Sequence, residues 1–312
     1  MTLKDFLNKS KERYREQGPA VIPSIAADFT FSAISRVPVV PRLGTNVFER
    51  DWDVLIILDA CRLDQYRDLV NPDVDSIWSV GSSSNEWMSH TFARSYSEEI
   101  KKSAYVTGNP FSDEEVPDGM LGGLDEVWRT HWDDEIGGIK PDPITDRVIH
   151  RHRLGHERVI GHYMQPHYPF IGPRTDLDGG QMNWDITGDR SHVSESKLAL
   201  WDQFLYGVRN DLDEVKQAYD DNLRFIWRKI QVVLENVEGK VVITADHGNA
   251  LGELGMWGHK PGMPHPQMRR VPWDIHHCTD EKTHQPEFCG GKERENEESF
   301  DRDSQLEDLG YL

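Results

Sequence analysis

The sequence predicts an α/β protein, a mostly parallel central sheet flanked by helices. Three observations carry this. Val54 to Leu58 form a continuous apolar run, as a strand buried on both faces requires. Short runs that read as strands recur at SIWSV (76–80), AYVTG (104–108), RVIGHYM (158–164) and KVVITAD (240–246). Helix-like stretches near 85–95, near 144–152 and over 197–237 lie between them, and such alternation builds a sheet covered by helices.

The helix within 197–237 has the clearest pattern. Leu212, Val215, Tyr219, Leu223, Ile226, Ile230 and Val233 recur at spacings of three and four, which draws one apolar stripe. Residues 1–45 read as an amphipathic helix and a proline-punctuated arm, VPVVPRLG. Residues 46–273 form the expected catalytic domain. Within it, 171–196 is rich in Gly, Asp and Ser and reads as a surface insertion. Residues 274–312 read as a polar, charged tail that packs on the core through its end, QLEDLGYL. There is no internal repeat.

Composition narrows the partners. The chain has 312 residues and a formal net charge of −19. Such a surface repels phosphate backbones and acidic membranes, so nucleic acid is not an expected partner. An acidic, lysine-poor surface also suits a high-salt cytoplasm, where ions screen self-repulsion, and a salt-loving archaeal source is the expectation. No run of 18 apolar residues exists, so no membrane span is expected. The N-terminus lacks an apolar core followed by a cleavage site, and three cysteines are too few for a disulfide framework. A cytoplasmic location follows as the expectation.

Chemistry gathers at strand ends. Asp59 closes the run at 54–58. Asp246 and His247 follow Val241, Val242 and Ile243, and Gly248 breaks the strand. In a parallel sheet these ends share one edge, where open α/β sheets place ligands. Two carboxylates and an imidazole suit a divalent cation. SVGSSSNEW (79–87) follows a strand and opens a helix, so its hydroxyls lie near amides that favour an anion. A serine there also serves as an ordinary helix cap; beside a metal it becomes a candidate nucleophile. His167 lies in a turn between two prolines in HYMQPHYPF. His259 lies in the Gly/Pro-rich LGMWGHKPGMPHP.

In this order, VLIILDACRLD, SVGSSSNEW, YVTGNPF, MQPHYPF, AYDDNLRFI, ITADHGNALGELGMWGH, RRVPW and LEDLGYL resemble the alkaline phosphatase superfamily in its sulfatase-like branch, over about residues 52–312. The resemblance implies an alkaline phosphatase-like fold. It also implies metal ligands at Asp59, Asp246 and His247, and a nucleophile within GSSSNEW. Ser84 is the choice because it stands next to the helix start, with Ser82 and Ser83 as alternatives. His167 and His259 match positions that hold the substrate's anionic group or a second metal.

Departures shape the expected activity. Sulfatases oxidise a residue within Cys/Ser-x-Pro-x-Arg, but Cys61 is followed by Arg62, Leu63 and Asp64. Ala60 follows Asp59 where sulfatases pair two acids. Two-metal phosphatases place Asp-x-x-x-His where this chain runs from Tyr163 to His167. The expectation is therefore a metal-dependent hydrolase of phosphate or sulfate esters with a serine nucleophile. It uses one secure site for Mn, Mg, Ca or Zn and acts on a small anionic ester. The alternatives are a phospho-group transferase or mutase of the same superfamily and a non-catalytic binding protein that keeps the fold.

Two other groups read as bland. HHCTDEKTHQPEFC has the composition of a zinc site, but its spacing fits no standard one. Cys61 reads as a small buried residue at a strand end.

Overall fold

The computed structural model describes residues 44–171, 199–205, 207, 209–287 and 302–310, with isolated positions between 7 and 30. Most of the N-terminal arm and nearly all of the 171–196 insertion lie outside the described residues.

Seven strands form the main sheet: β1 (Val54–Leu58), β2 (Asp75–Trp78), β3 (Ser103–Thr107), β4 (Gly123–Glu126), β5 (Arg158–Tyr163), β6 (Gly239–Thr244) and β7 (Arg270–Cys278). Their order is β2-β7-β6-β1-β5-β3-β4. All pairings are parallel except those of β7, which runs antiparallel to both β2 and β6. The expected mostly parallel sheet is thus what the chain forms. β1 lies at its middle with all five residues buried, because helices cover both faces.

The described helices include α1 (Leu63–Leu69), α2 (Ser84–Thr91), α3 (Asp142–Arg153), α4 (Leu200–Leu205), α5 (Leu212–Leu234) and α6 (Arg302–Asp308). α5 buries Val215, Tyr219, Leu223, Ile226, Ile230 and Val233 on one face, and Leu212 is partly buried beside a neighbouring apolar cluster. Truncating Ile226 to alanine within this stripe would cost about 2–5 kcal/mol of stability, from lost burial plus a cavity. On β5, Gly161 admits α3 closely, since a Cβ there would lie 2.5 Å from Val148 Cγ2.

Two strands escape the sequence pattern. β4 is a four-residue edge strand of mixed burial. β7 contains Pro272, Asp274 and two histidines, and it carries the sheet through Cys278, into the segment read as a tail. It forms there because backbone pairing with β6 continues from Trp273 to Cys278 whatever the side chains' polarity. At the far end of that segment Leu306 and Leu309 are buried, as a chain end packed on the core requires.

Candidate metal and nucleophile site

The carboxyl ends of β1, β5, β6 and β3 meet at one edge of the sheet. β1 and β6 run in register from Val54 opposite Val241 to Ile57 opposite Thr244. This brings Asp59 and Asp246 level just beyond the strands. Ala60 then turns the chain in a left-handed conformation, with φ 57°, which costs an alanine roughly 1–2 kcal/mol. Its N–H donates to Asp246 Oδ1 at 3.1 Å, and the Tyr219 hydroxyl of α5 donates to its carbonyl. The turn is therefore tied to both β6 and α5.

The side chains converge. His247 Nε2 lies 3.6 Å from Asp59 Oδ1 and 3.5 Å from Asp246 Oδ2. Ser84 Oγ lies 3.2 Å from Asp59 Oδ2 and 3.2 Å from His247 Nε2. All four residues are fully buried. Ligands about 2.1 Å from a tetrahedral cation lie about 3.4 Å from one another, close to the two His247 distances, and ligand-type atoms of Asp59, Asp246 and His162 lie within 4.8 Å of one another, so the cluster could hold a metal ion. Two buried carboxylates also need a cation in company. Burial pushes the Asp246 carboxyl up, but His247 and hydrogen bonding outweigh it and hold the acid below its ordinary range.

The imidazoles are oriented by carbonyls, which only accept. His247 Nδ1 donates to Gly248 O at 2.7 Å, so the neutral ring carries a lone pair on Nε2. His167 Nδ1 donates to Tyr168 O in the same way. Burial pushes His167 down to about 4, opposed by that carbonyl and reinforced by His247. Burial also depresses His259, with His247 and His167 adding to the effect. The His259 ring centre lies 4.4 Å from that of His247 and 5.0 Å from that of His167. The six residues singled out in the sequence thus stand in one cluster.

The three serines differ. Ser84 is the first residue of α2 and faces the acids. Ser83 stands at the N-cap position of that helix without a side-chain capping bond, and its hydroxyl instead donates to Asn85 Oδ1 at 2.6 Å. Ser82 Oγ lies 2.9 Å from Glu86 Oε2 and 2.6 Å from Lys260 O, and accepts from Met263 N at 2.9 Å.

Three further residues belong to the site. Asn109, after β3, donates from Nδ2 to Asp59 Oδ2 at 3.0 Å, while its Oδ1 accepts from Phe111 N. Asn222, in the buried stripe of α5, donates to the carbonyls of Pro166 and His167 at 3.1 Å each and so fixes the His167 turn. His162, on β5, faces both acids. Asn109 and Asn222 sit inside YVTGNPF and AYDDNLRFI, two of the segments quoted above. An amide polar on both ends and placed beside a strand end or in an apolar stripe was the available signal.

The remaining features are structural. Cys61 is buried, and that burial raises its thiol's pKa, with Asp64 and Asp246 adding to it. His276 and His284 pair with different acids, Asp274 at 3.2 Å and Asp146 at 2.6 Å, rather than with each other. No helix among the described residues is long and apolar enough to cross a membrane.

No family model matches the chain, and no curated protein does. Among solved structures it is similar to the soluble domain of lipooligosaccharide phosphoethanolamine transferase A from Neisseria meningitidis. Identity is 16% and the TM-score 0.41, over 72% of this chain and 76% of that one. It is similar to the integral membrane form of that protein at 14% identity and a TM-score of 0.46, over 89% of this chain and 60% of that one. It is also similar to the C-terminal periplasmic domain of phosphoethanolamine transferase EptC from Campylobacter jejuni. There identity is 14% and the TM-score 0.41, over 72% of this chain and 78% of that one.

Proposed function

We propose that this chain is a metal-dependent enzyme that moves a phosphate-containing group through a covalent intermediate on Ser84. The observation that carries the reading is the position of Ser84 Oγ, 3.2 Å from both Asp59 Oδ2 and His247 Nε2 at a fully buried site. Asp59, Asp246 and His247 would hold the cation. When bound, it supplies charge stabilisation and lowers the proton affinity of a neighbouring hydroxyl.

This chain's own residues do the rest. Asp59 Oδ2 is in place to accept the Ser84 proton. Ser84 Oγ then forms a bond to phosphorus, and the leaving oxygen departs with the electron pair of the bond it breaks. In the second half an incoming hydroxyl, from water or an alcohol, attacks phosphorus and gives its proton to the imidazole of His167 or His259, while the bond from phosphorus to Ser84 Oγ breaks and Asp59 returns the proton to that oxygen. Burial keeps both rings neutral, which favours this accepting role over protonation of the leaving group. The α2 N-terminus adds amides that favour the phosphate's charge. Phosphate esters are favoured over sulfate esters because the chain has no Cys/Ser-x-Pro-x-Arg motif around Cys61.

The test is a panel of nitrophenyl phosphates, phosphodiesters and sulfates, assayed with Mn²⁺, Mg²⁺, Ca²⁺ and Zn²⁺, with and without an added alcohol. Phosphoethanolamine transfer, for which the similar proteins are named, belongs in the panel as one reaction of this class. Metal-dependent release of nitrophenol from a phosphorus ester is the expected result, and an alcohol adduct identifies a transferase. Release from sulfate esters alone, or release insensitive to metal, contradicts the reading.

A further inference from the structure

Glu86 follows Ser84 by two residues in α2, and Arg269 stands just before β7. Their side chains are 9% and 0% exposed, and Arg269 Nη2 donates to Glu86 Oε1 at 2.7 Å. The other carboxylate oxygen, Oε2, accepts from the backbone N–H of Ser82 at 2.7 Å and from that of Gly262 at 3.0 Å. Arg269 also donates from Nε to Met263 O at 3.0 Å and from Nη1 to Ser79 O at 3.2 Å. Every donor here is an amide or a guanidinium, and every acceptor is a carboxylate or carbonyl oxygen. Each bond therefore has one direction.

These bonds join two segments that are distant in the chain. Ser79 and Ser82 belong to the turn that leads into Ser84. Gly262 and Met263 belong to the loop that follows His259. Ser79 also reaches β6, since its hydroxyl donates to the carbonyl of Asp246. Taking two charges out of water is costly, and an apolar pair of similar volume often holds a fold as well. The ions add geometry. Three nitrogens of one planar guanidinium, each on a different acceptor, fix the spacing of the two segments more narrowly than apolar packing does.

We infer that Glu86 is a positioning residue: locked by Arg269, its carboxylate sets the Ser84 turn against the loop that carries His259. The inference rests on the serine reading above, in which Ser84 attacks phosphorus and His167 or His259 takes the second proton. It gives Glu86 no bond to cation or substrate. Misplacing a reacting group by about 1 Å can cost about 10²-fold in rate. The cation would be held by Asp59, Asp246 and His247, so metal affinity should not follow that loss.

The experiment uses the full chain, Mn²⁺ and a nitrophenyl phosphorus ester that wild type turns over. It reads kcat and KM per metal-loaded site, well below each variant's melting temperature, and Mn²⁺ affinity by calorimetry. Glu86→Gln keeps the size and removes the charge that faces Arg269. Glu86→Asp keeps the charge and shortens the arm by one methylene. Both should lower kcat roughly 10–100-fold, with KM and Mn²⁺ affinity within a few-fold of wild type. Rapid acid quench should show the Ser84 adduct forming more slowly. Where Glu86→Gln does not fold, Glu86→Asp decides, because Arg269 keeps its counter-charge. Wild-type kcat in the folded variants, with only the melting temperature lowered, makes the pair purely structural and overturns the inference. Mn²⁺ affinity that falls in step with kcat also overturns it, since Glu86 would then act through the cation. A wild-type chain with no metal-dependent turnover instead contradicts the reading above, and this inference with it.

Discussion

Ser84 Oγ and His247 Nε2 lie 3.2 Å apart, although 163 positions separate them in the chain. The sheet makes this contact: α2 delivers the hydroxyl and β6 delivers the imidazole to one edge. Because Gly248 O accepts the single N–H of the neutral ring at Nδ1, His247 presents the Nε2 lone pair to the hydroxyl side. The same atom can therefore serve a cation that activates Ser84. Each expectation below follows from that geometry.

Ser84→Ala should lower turnover by at least three orders of magnitude, about 4 kcal/mol of barrier, with little change in melting temperature. Ser82→Ala should do the reverse. Its hydroxyl satisfies the buried amide of Met263, so its loss should cost about 1–3 kcal/mol of stability. Its effect on the chemical step should be small. Thermal melts and steady-state rates on the two variants separate the roles.

Metal should stabilise the folded chain. A cation at 100 times its Kd adds about 2.7 kcal/mol to a fold that alone binds it. Asp246→Asn removes a carboxylate charge from the set and should abolish the shift in melting temperature with added Mn²⁺ or Zn²⁺. An equal shift in wild type and variant would place the cation elsewhere.

Stability should fall in acid through His167. Its folded-state pKa, about 4, lies below the ordinary 6.5 because burial disfavours the charged ring. Between these values the unfolded chain binds a proton that the folded chain refuses. The contribution is thus fully present above about 6.5 and is lost as pH falls towards 4. His167→Gln should flatten this part of the stability profile, measured by denaturant unfolding at several pH values. A profile identical to wild type would show that His167 is not buried in its neutral form.

Gly248→Ala should cripple the site although it adds one carbon. The added Cβ would sit 2.2 Å from the Gln267 carbonyl oxygen, a backbone atom that cannot swing aside. Overpacking of this kind typically costs 1–3 kcal/mol, and relief requires moving the turn that orients His247. Loss of metal affinity together with stability is the expected result; a variant with wild-type metal binding would show that the turn relaxes freely.

Much of this site was legible because strands and helices put chemistry where they end. The unbroken Val54 to Leu58 run marked a central strand, so Asp59 had to stand at the sheet edge. The same logic located Asp246 and His247, and the strand-to-helix step at SVGSSSNEW located the serines. Choosing among the serines rested on where α2 begins, and the structure starts it at Ser84 itself. His162 was not singled out because it lies inside an otherwise apolar strand, RVIGHYM, where period-two geometry aims it at a face the sequence does not reveal. Its partner Tyr105 is on another strand. β7 hid because its proline and histidines break the apolar pattern, while its pairing depends on a neighbouring backbone that no local window contains. The high negative charge remains an expectation about solvent: a net −19 surface predicts a melting temperature that rises with KCl.

The central claim is a covalent intermediate on Ser84, and trapping it is the most direct test. Rapid acid quench of the metal-loaded chain with a reactive phosphorus ester, followed by peptide mass spectrometry, reads it. The account predicts a phosphate-containing adduct on the Ser84 hydroxyl, absent from Ser84→Ala and from protein stripped of metal. Turnover that persists in Ser84→Ala, with no adduct on any serine of the 82–84 run in wild type, would contradict it and leave direct attack by water.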